Sequence, residues 1–499
     1  MGRLEPTRST GGDSVAGLIL QKELTMETQF RVLSENEKTT IHEQTLSILS
    51  KTGVRIGTEK GRRLLKEAGA EVHKNNDIVR FPSTLVETCI GMAPKKFSLG
   101  ARRPGWDLSM NNGECTLLLS GEGTHAIDRQ SGEIRNSTFQ DWLSATQLAD
   151  VLDDIGMYWK IVETTDRGDE SVDYIDYLVH LFRNFSKHVQ DSTNSVEKSR
   201  WLLEVLQVVF GSKEEIQKSK PFSFVLCPQS PLIIDQKYTD AYLELRGWGI
   251  PVAIMPMPLM GATAPASLIS TIIMANCEVL ATLCLVQASE PNTPIIYAAV
   301  SSLMDPRTGL VKSGCAEEGL ISAASNEMAR YYGLPSEISG LETGRFELNV
   351  QSSYETALTA LISMLSFPDI MVGVGVIGGG MVLSLEQMLI DTEIYKKCRR
   401  AHQGIASGKD KYMLDVMEQT QPGAQFIDHP TTLKAVRSDE LHISRLEAFE
   451  GLESWRHSDK TDIVDTARAK VDQILSSYQP LPLGDEVEKE LRKIQKKVG

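Results

Sequence analysis

Apolar and polar positions change rhythm once along this chain, near Phe139. Before that point two stretches have helical spacing: Ser34 to Ser50, with Ile41, Leu46, Ile48 and Leu49 recurring, and Lys60 to Ala68. Short alternating runs follow, and their turn residues predict hairpins. Glu71 to Phe81 turns at Asn75-Asn76-Asp77, Leu108 to Ser120 at Asn112-Gly113, and His125 to Arg135 near Ser131-Gly132. After Phe139, helical and strand patterns alternate. Strands are predicted at Met157 to Val162, Lys187 to Gln190, Phe222 to Cys227, Val252 to Met257, from Ile295, Glu337 to Leu341, and Ile370 to Val376. A helical stretch precedes each one. Gln425 to Asp428 supplies an eighth strand. Alternation of this kind means a parallel sheet, and about eight units mean a (β/α)8 barrel.

The expected architecture is therefore an α/β TIM-type barrel over residues 138–435. An N-terminal helical and antiparallel layer covers 30–137, and a C-terminal helical extension covers 436–499. The last helix, Asp485 to Val498, is rich in Lys and Glu, which suits a solvated arm or a packing surface for another subunit. Leu268 to Ala288 is long enough to cross a membrane, but it carries Asn276, Glu278 and Gln287 and starts at a capping Thr263 and Pro265. It reads as a buried core helix. Residues 1–29 show no signal-peptide pattern and are expected to be a poorly ordered leader, with Met26 as the native start.

Composition narrows the class of partner. The chain has 499 residues and a formal net charge of −14, which disfavours a nucleic-acid partner and suits a cytoplasmic protein. Its seven cysteines are scattered with no CxxC, so they are read as reduced thiols. No metal site is expected, because no His or Cys pair has ligand spacing. Gly373-Val374-Gly375-Val376-Ile377-Gly378 matches GxGxxG, but the next helix opens only near Ser384, too late for its N-terminus to meet a pyrophosphate. The bland reading is close packing of a strand end. A Schiff-base lyase or aldolase would need a strand-borne lysine, and only Lys160 and Lys187 lie at strands.

Three motifs in order then carry a resemblance: MDPRTG at 304–309 before a helix ending ARYYGLP, SLEQ with DTEI at 384–394, and HPTTL at 429–433. With FRVLSENE near the start, these resemble the trimethylamine methyltransferase family of corrinoid-dependent enzymes. The resemblance covers roughly residues 30–454. It implies a methyltransferase that passes a methyl group from a quaternary amine to a Co(I) corrinoid. No DxHxxG cobalt-ligand motif occurs, so the corrinoid would arrive on a separate protein, with none bound covalently. The family's founding enzyme uses pyrrolysine in the region matching Leu341–Gln351. This chain has ordinary residues there, which points to members that demethylate glycine betaine, proline betaine, carnitine or γ-butyrobetaine.

The implied substrate site takes in Tyr297, Asp305, Glu342, Arg345, Phe346, Glu347 and Gln351, and the implied corrinoid-facing loop Gly375, Gly378 and Gly379. Aromatic faces attract quaternary ammonium, and Arg345 either grips a substrate carboxylate or forms a plain surface pair with a glutamate. Glu386 and Asp391 match the family pattern and suit bracing of the barrel. No residue is assigned a catalytic role. A homo-oligomer is expected. The alternative is a betaine-binding or scaffold protein without activity.

Overall fold

The computed structural model describes residues 25–26, 30–73, 77–167, 170–438 and 440–498. They fall into two units: residues 30–398 with 445–499, and residues 25–26 with 399–444. The expected leader lies outside the described residues except for Thr25 and Met26, and so do Asn75 and Asn76 of the first hairpin.

The larger unit is built on a closed barrel of eight parallel strands. These are β1 Thr116–Leu119, β2 Ile155–Tyr158, β3 His188–Asp191, β4 Phe222–Leu226, β5 Val252–Ile254, β6 Ile295–Ala299, β7 Ser336–Ser339 and β8 Ile370–Val374. β1 closes the ring by pairing with both β2 and β8. Helices cover the outside, so nearly every strand residue is buried. That is why the strands read as continuous apolar runs and not as alternating ones.

Two sequence expectations are corrected here. Gln425 to Asp428 forms no strand and belongs to the smaller unit. A barrel strand is buried on both faces, whereas Phe426 and Ile427 are 42% and 79% exposed. The missing strand is instead Thr116–Leu119, which the sequence reading placed in a hairpin with Leu108. Its run of three leucines is wholly buried, the mark of a two-faced core strand. Leu108–Ser109 pairs with Ser98–Leu99. That short ribbon packs Leu99 and Met110 against Leu118, Met157, Val225 and Ile370 and closes the lumen from the N-terminal side of the strands. The other two hairpins form as expected, pairing Glu71–Val72 with Ile78–Arg80 and His125–Ile127 with Ile134–Asn136.

Leu268–Ser289 is the one helix among the described residues long and apolar enough to cross a membrane, and most of it is buried inside this unit. Its polar residues are satisfied there. Asn276 donates to Thr45 and Tyr332 at 2.8 Å, and Glu278 accepts from Ser230 and the Leu232 N–H at 2.8 Å. The C-terminal helix Asp485–Val498 packs on its own barrel. Leu491 and Ile494 are buried, and Arg183 pairs with Glu488 at 2.8 Å. In the smaller unit, Thr25–Met26 pairs with Ile405–Ala406. There His429 caps the helix Pro430–Val436, which has proline in its first turn. The HPTTL motif is thus a helix start.

Lys187 lies at the entry of β3 and is buried. Its ammonium donates to the carbonyls of Ala149, Leu152 and Ile155 at 3.0, 2.7 and 2.7 Å. Burial pulls it down to about 7, yet three carbonyl acceptors use all three of its protons. It is a structural clamp on the far side from the strand exits, so it does not supply a Schiff base. Lys187→Met leaves those carbonyls unpaired and is expected to cost about 2 kcal/mol or more in urea unfolding. An unchanged midpoint would show that the clamp contributes nothing.

Candidate active site

In a parallel barrel the loops after the strands surround one opening. Beyond β1, β2 and β3 that opening deepens into a cavity of about 360 Å³ lined by Glu122, Lys160, Glu163, Arg167, Tyr174, Tyr177, Asp191, Lys198 and Tyr238, among others. Asp191 ends β3. Its carboxylate accepts from the Tyr177 hydroxyl and, at 2.9 Å, from the Ser192 N–H. Burial pushes it up to about 7. The Tyr177 hydroxyl lies 3.3 Å from that of Tyr158, which accepts from Trp142 Nε1 at 2.6 Å. A packed aromatic wall therefore fixes Asp191. Glu122 follows β1 with a left-handed backbone, φ 62°, and its N–H donates to the Lys160 carbonyl at 2.7 Å. Burial and then the Glu163 charge raise its pKa, with Lys160 opposing.

The cations of the cavity sit against the same wall. Lys160 Nζ lies 2.5 Å from Glu163 and 5.4 Å from the Tyr177 ring centroid. Lys198 Nζ is 5.7 Å from the Tyr174 ring. Arg167 pairs with Asp176 at 3.1 Å. Acid and aromatic faces thus meet lysine and arginine within one small cavity, an arrangement that suits a small zwitterion.

Below the opening the lumen is closed by a polar chain. His188 Nδ1 donates to the Gly100 carbonyl at 2.9 Å, so its Nε2 is the acceptor facing Ser223 Oγ at 2.9 Å. Burial lowers this imidazole to about 4 and keeps it neutral. Gln190 Oε1, 3.1 Å from Ser223 Oγ, is a second acceptor for the one hydroxyl proton, and Gln190 Nε2 donates to both oxygens of Glu337 at 2.9 Å. Burial raises Glu337 to about 8.

Most residues expected at the substrate and corrinoid sites come together on the opposite side, beyond β7 and β8. Glu342 is half-buried, with its pKa raised well above the usual range by burial and then by the charges of Glu318 and Asp391. Asp391 accepts from the Gly375 N–H at 2.8 Å and from Gln387 at 2.6 Å, bracing the exit of β8. Glu386 pairs with Arg129 at 3.0 Å. Glu355 accepts from Thr343 at 2.6 Å and from Gln351 at 2.7 Å. Arg345 and Glu347 are exposed and 3.7 Å apart, the geometry of a surface pair. Gly378 and Gly379 donate to the carbonyls of Arg345 and Thr343 at 2.7 and 2.9 Å. Gly378 has φ +64°, and a Cβ there would lie 2.4 Å from the Phe346 ring. The GxGxxG stretch is therefore close loop packing, and its helix starts only at Leu385.

Two residues do not join this group. Tyr297 points outward from β6, stacks on Tyr332 at 6.3 Å and donates to Asn276 at 3.0 Å, because its side of the strand faces the helical layer. Asp305 is engaged within its own turn, accepting from the Arg307 N–H at 2.8 Å and from the Arg307 guanidinium at 2.6 Å. That guanidinium holds the carboxyl well below its usual range. The sequence reading missed Glu122, Asp191 and the tyrosines. Asp191 directly follows the predicted strand Lys187 to Gln190. Glu122 follows β1, an apolar run that the sequence pattern assigns to a hairpin and not to the barrel.

The family model for trimethylamine methyltransferase matches residues 5–498. A trimethylamine methyltransferase of Desulfitobacterium hafniense is 28% identical over 461 residues, covering 92% of each chain. A glycine betaine methyltransferase of the same species is 26% identical over 465 residues, covering 93% of this chain and 96% of its own. The monomethylamine methyltransferase of Methanosarcina barkeri is a solved structure with a TM-score of 0.48 and 11% identity, covering 88% of this chain and 92% of its own.

Raised carboxyls make stability depend on pH. Glu337 keeps its proton to about 8 when folded, against about 4.3 when unfolded. The folded state therefore holds the extra proton between those values, and the stability it confers is lost as pH rises through 8. Glu337→Gln removes that dependence. Relative to the wild type, the variant is expected to gain on the order of a few kcal/mol between pH 5 and pH 9 in urea titrations. Parallel pH profiles for the two proteins would refute the assignment.

Proposed function

The chain belongs to the trimethylamine methyltransferase family, and from that membership we propose that it moves a methyl group from a quaternary amine, glycine betaine foremost, to a Co(I) corrinoid on a separate protein. The proposed setting is the cytoplasm. The observation that carries the substrate half of this reading is the cavity beyond β1 to β3, where the buried Asp191, the more exposed Glu122 and tyrosine rings stand beside lysine and arginine. The relative that acts on glycine betaine, similar over nearly the whole chain, supports the choice of substrate.

The chemistry asks for positioning. A quaternary nitrogen makes its methyl carbon electrophilic. The carbon–nitrogen bond breaks with its electron pair going to nitrogen, so the tertiary amine leaves neutral and no proton moves. The corrinoid supplies the Co(I) nucleophile when its carrier is docked. Glu122, Asp191 and the tyrosine faces would hold the ammonium group, and a bound cation favours their ionised forms. Lys160, Lys198 and Arg167 would hold the carboxylate. The dry aromatic wall behind Asp191 excludes water, and a fixed substrate aligns its methyl group for in-line attack.

The test is an anaerobic assay of purified protein with Co(I) cobalamin, reading loss of the Co(I) absorbance with a panel of betaines and trimethylamine. Conversion with glycine betaine and not with trimethylamine is expected. Glu122→Gln should raise the KM for glycine betaine about tenfold, while Arg345→Ala, in its exposed pair, should change it by less than about twofold. The reverse order would move the substrate to the β7 side of the opening. Calorimetric binding without conversion would leave two readings, an obligatory carrier protein or the non-catalytic binder.

The pH dependence has a definite sign. Asp191 is held up to about 7 by burial, so its ionised fraction grows between pH 6 and 8. The KM for a quaternary ammonium substrate is expected to fall over that range in wild type and to flatten in Asp191→Asn. A KM that rises with pH would exclude Asp191 as the cation's partner.

A further inference from the structure

The smaller unit carries helices without a core. From Gln403 to Ser444 no described residue is buried. The helices there are short: Lys409–Tyr412 has four residues, Leu414–Gln419 six and Pro430–Val436 seven. Isolated helices below about 12 residues are marginal in water, and in proteins an apolar face packed on something else holds them. Here that face is bare. Leu414 and Met417 are exposed three positions apart on one helix, and Leu433 and Val436 likewise on another. Phe426 and Ile427, between the two helices, are exposed as well. What ties the unit internally is polar. Arg400 donates to the Glu440 carbonyl at 3.0 Å, and Lys411 pairs with the Glu440 carboxylate at 2.5 Å.

Area and charge select the partner. Ten large apolar side chains are exposed from Ile405 to Ile443. At roughly 100 Å² each they present on the order of 1,000 Å² in all, enough for one side of a stable protein contact, which buries about 800 Å² per partner. Residues 399–444 hold six Lys or Arg and six Asp or Glu, so this stretch is neutral and the net charge of −14 belongs to the rest of the chain. Two copies that met through other surfaces would bring like charges together, and here they do not. A neutral stretch on an acidic chain has no pull towards an anionic membrane, which favours clustered Lys and Arg. The first 24 residues offer one apolar run, Val15 to Leu20, too short to cover ten side chains. The last helix, Asp485–Val498, is already packed on its own barrel, so a contact between copies needs a different surface.

We propose that residues 405–443 are the surface through which a second copy of this chain binds, so that each copy covers the exposed apolar side chains of the other. The same segment serves on both copies, as in a two-fold symmetric contact. Because the segment has no core of its own, its helices depend on that cover, and the contact is a permanent one. The inference stands apart from the methyl-transfer reading.

The test is sedimentation velocity of the full chain from nanomolar to micromolar concentration, with hydrogen exchange on the same samples. Wild type is expected to sediment at twice the chain mass or a multiple of it, with slow exchange in Leu414–Gln419 and Pro430–Val436. The doubly substituted Leu414→Glu, Leu433→Glu chain is expected to raise the dissociation constant about a hundredfold and to speed that exchange, because a symmetric contact receives each charge twice. Leu358→Glu, Leu361→Glu is the control. It puts the same charges on an exposed apolar pair of the barrel helix Val350–Ser366 and should leave association unchanged. A test variant that associates as tightly as wild type overturns the proposal, and so does dissociation of the control alone. A monomeric wild type whose two helices exchange freely has no cover there, and the proposal fails. A monomer with both helices protected is covered by its own first residues, and the proposal fails. A monomer that floats with phosphatidylserine vesicles through this segment is covered by lipid, and the proposal fails again.

Discussion

Closing eight short parallel strands into one ring is the constraint on which everything else in this protein depends. Closure leaves no sheet edge, and it buries each strand on both faces. Any polar side chain pointing into the lumen must then find its partners there, because water cannot supply them. The chain from His188 through Ser223 and Gln190 to Glu337 answers that requirement. Lys187 answers it at the strand entries, where its three protons meet carbonyls from the neighbouring segment. The floor of the mouth is rigid because these groups have few alternative partners.

A rigid floor lets the loops above it differ. Around the ring, charge and aromatic rings collect beyond β1 to β3, while bare glycine backbone and exposed apolar side chains collect beyond β5 to β8. The two halves suit different solutes. The first is charged and aromatic, and the second carries more exposed apolar side chains.

The motifs that carried the resemblance gain physical meaning from the fold. MDPRTG is a turn that closes on itself through Asp305 and Arg307. HPTTL is a helix start capped by His429. Glu386 and Asp391 brace a helix and a strand exit. These residues set backbone paths, and none of them lines the cavity described beyond β1 to β3.

The sequence by itself determined the barrel class, seven of its strands, the burial of Leu268–Ser289 and the family, because those depend on local periodicity and on short patterns that neighbouring residues satisfy. It also pointed to the loops after β7 and β8, which do pack together. Only the tertiary structure decided that Thr116–Leu119 closes the ring, since an isolated apolar tetrapeptide fits a hairpin as well as a barrel. Only the tertiary structure turned Tyr297 outward, because which face of a strand meets the lumen is set by its neighbours. And only the tertiary structure brought Glu122, Lys160 and Asp191 into one cavity. They come from the exits of three different strands, and no local pattern records a meeting that ring closure alone creates.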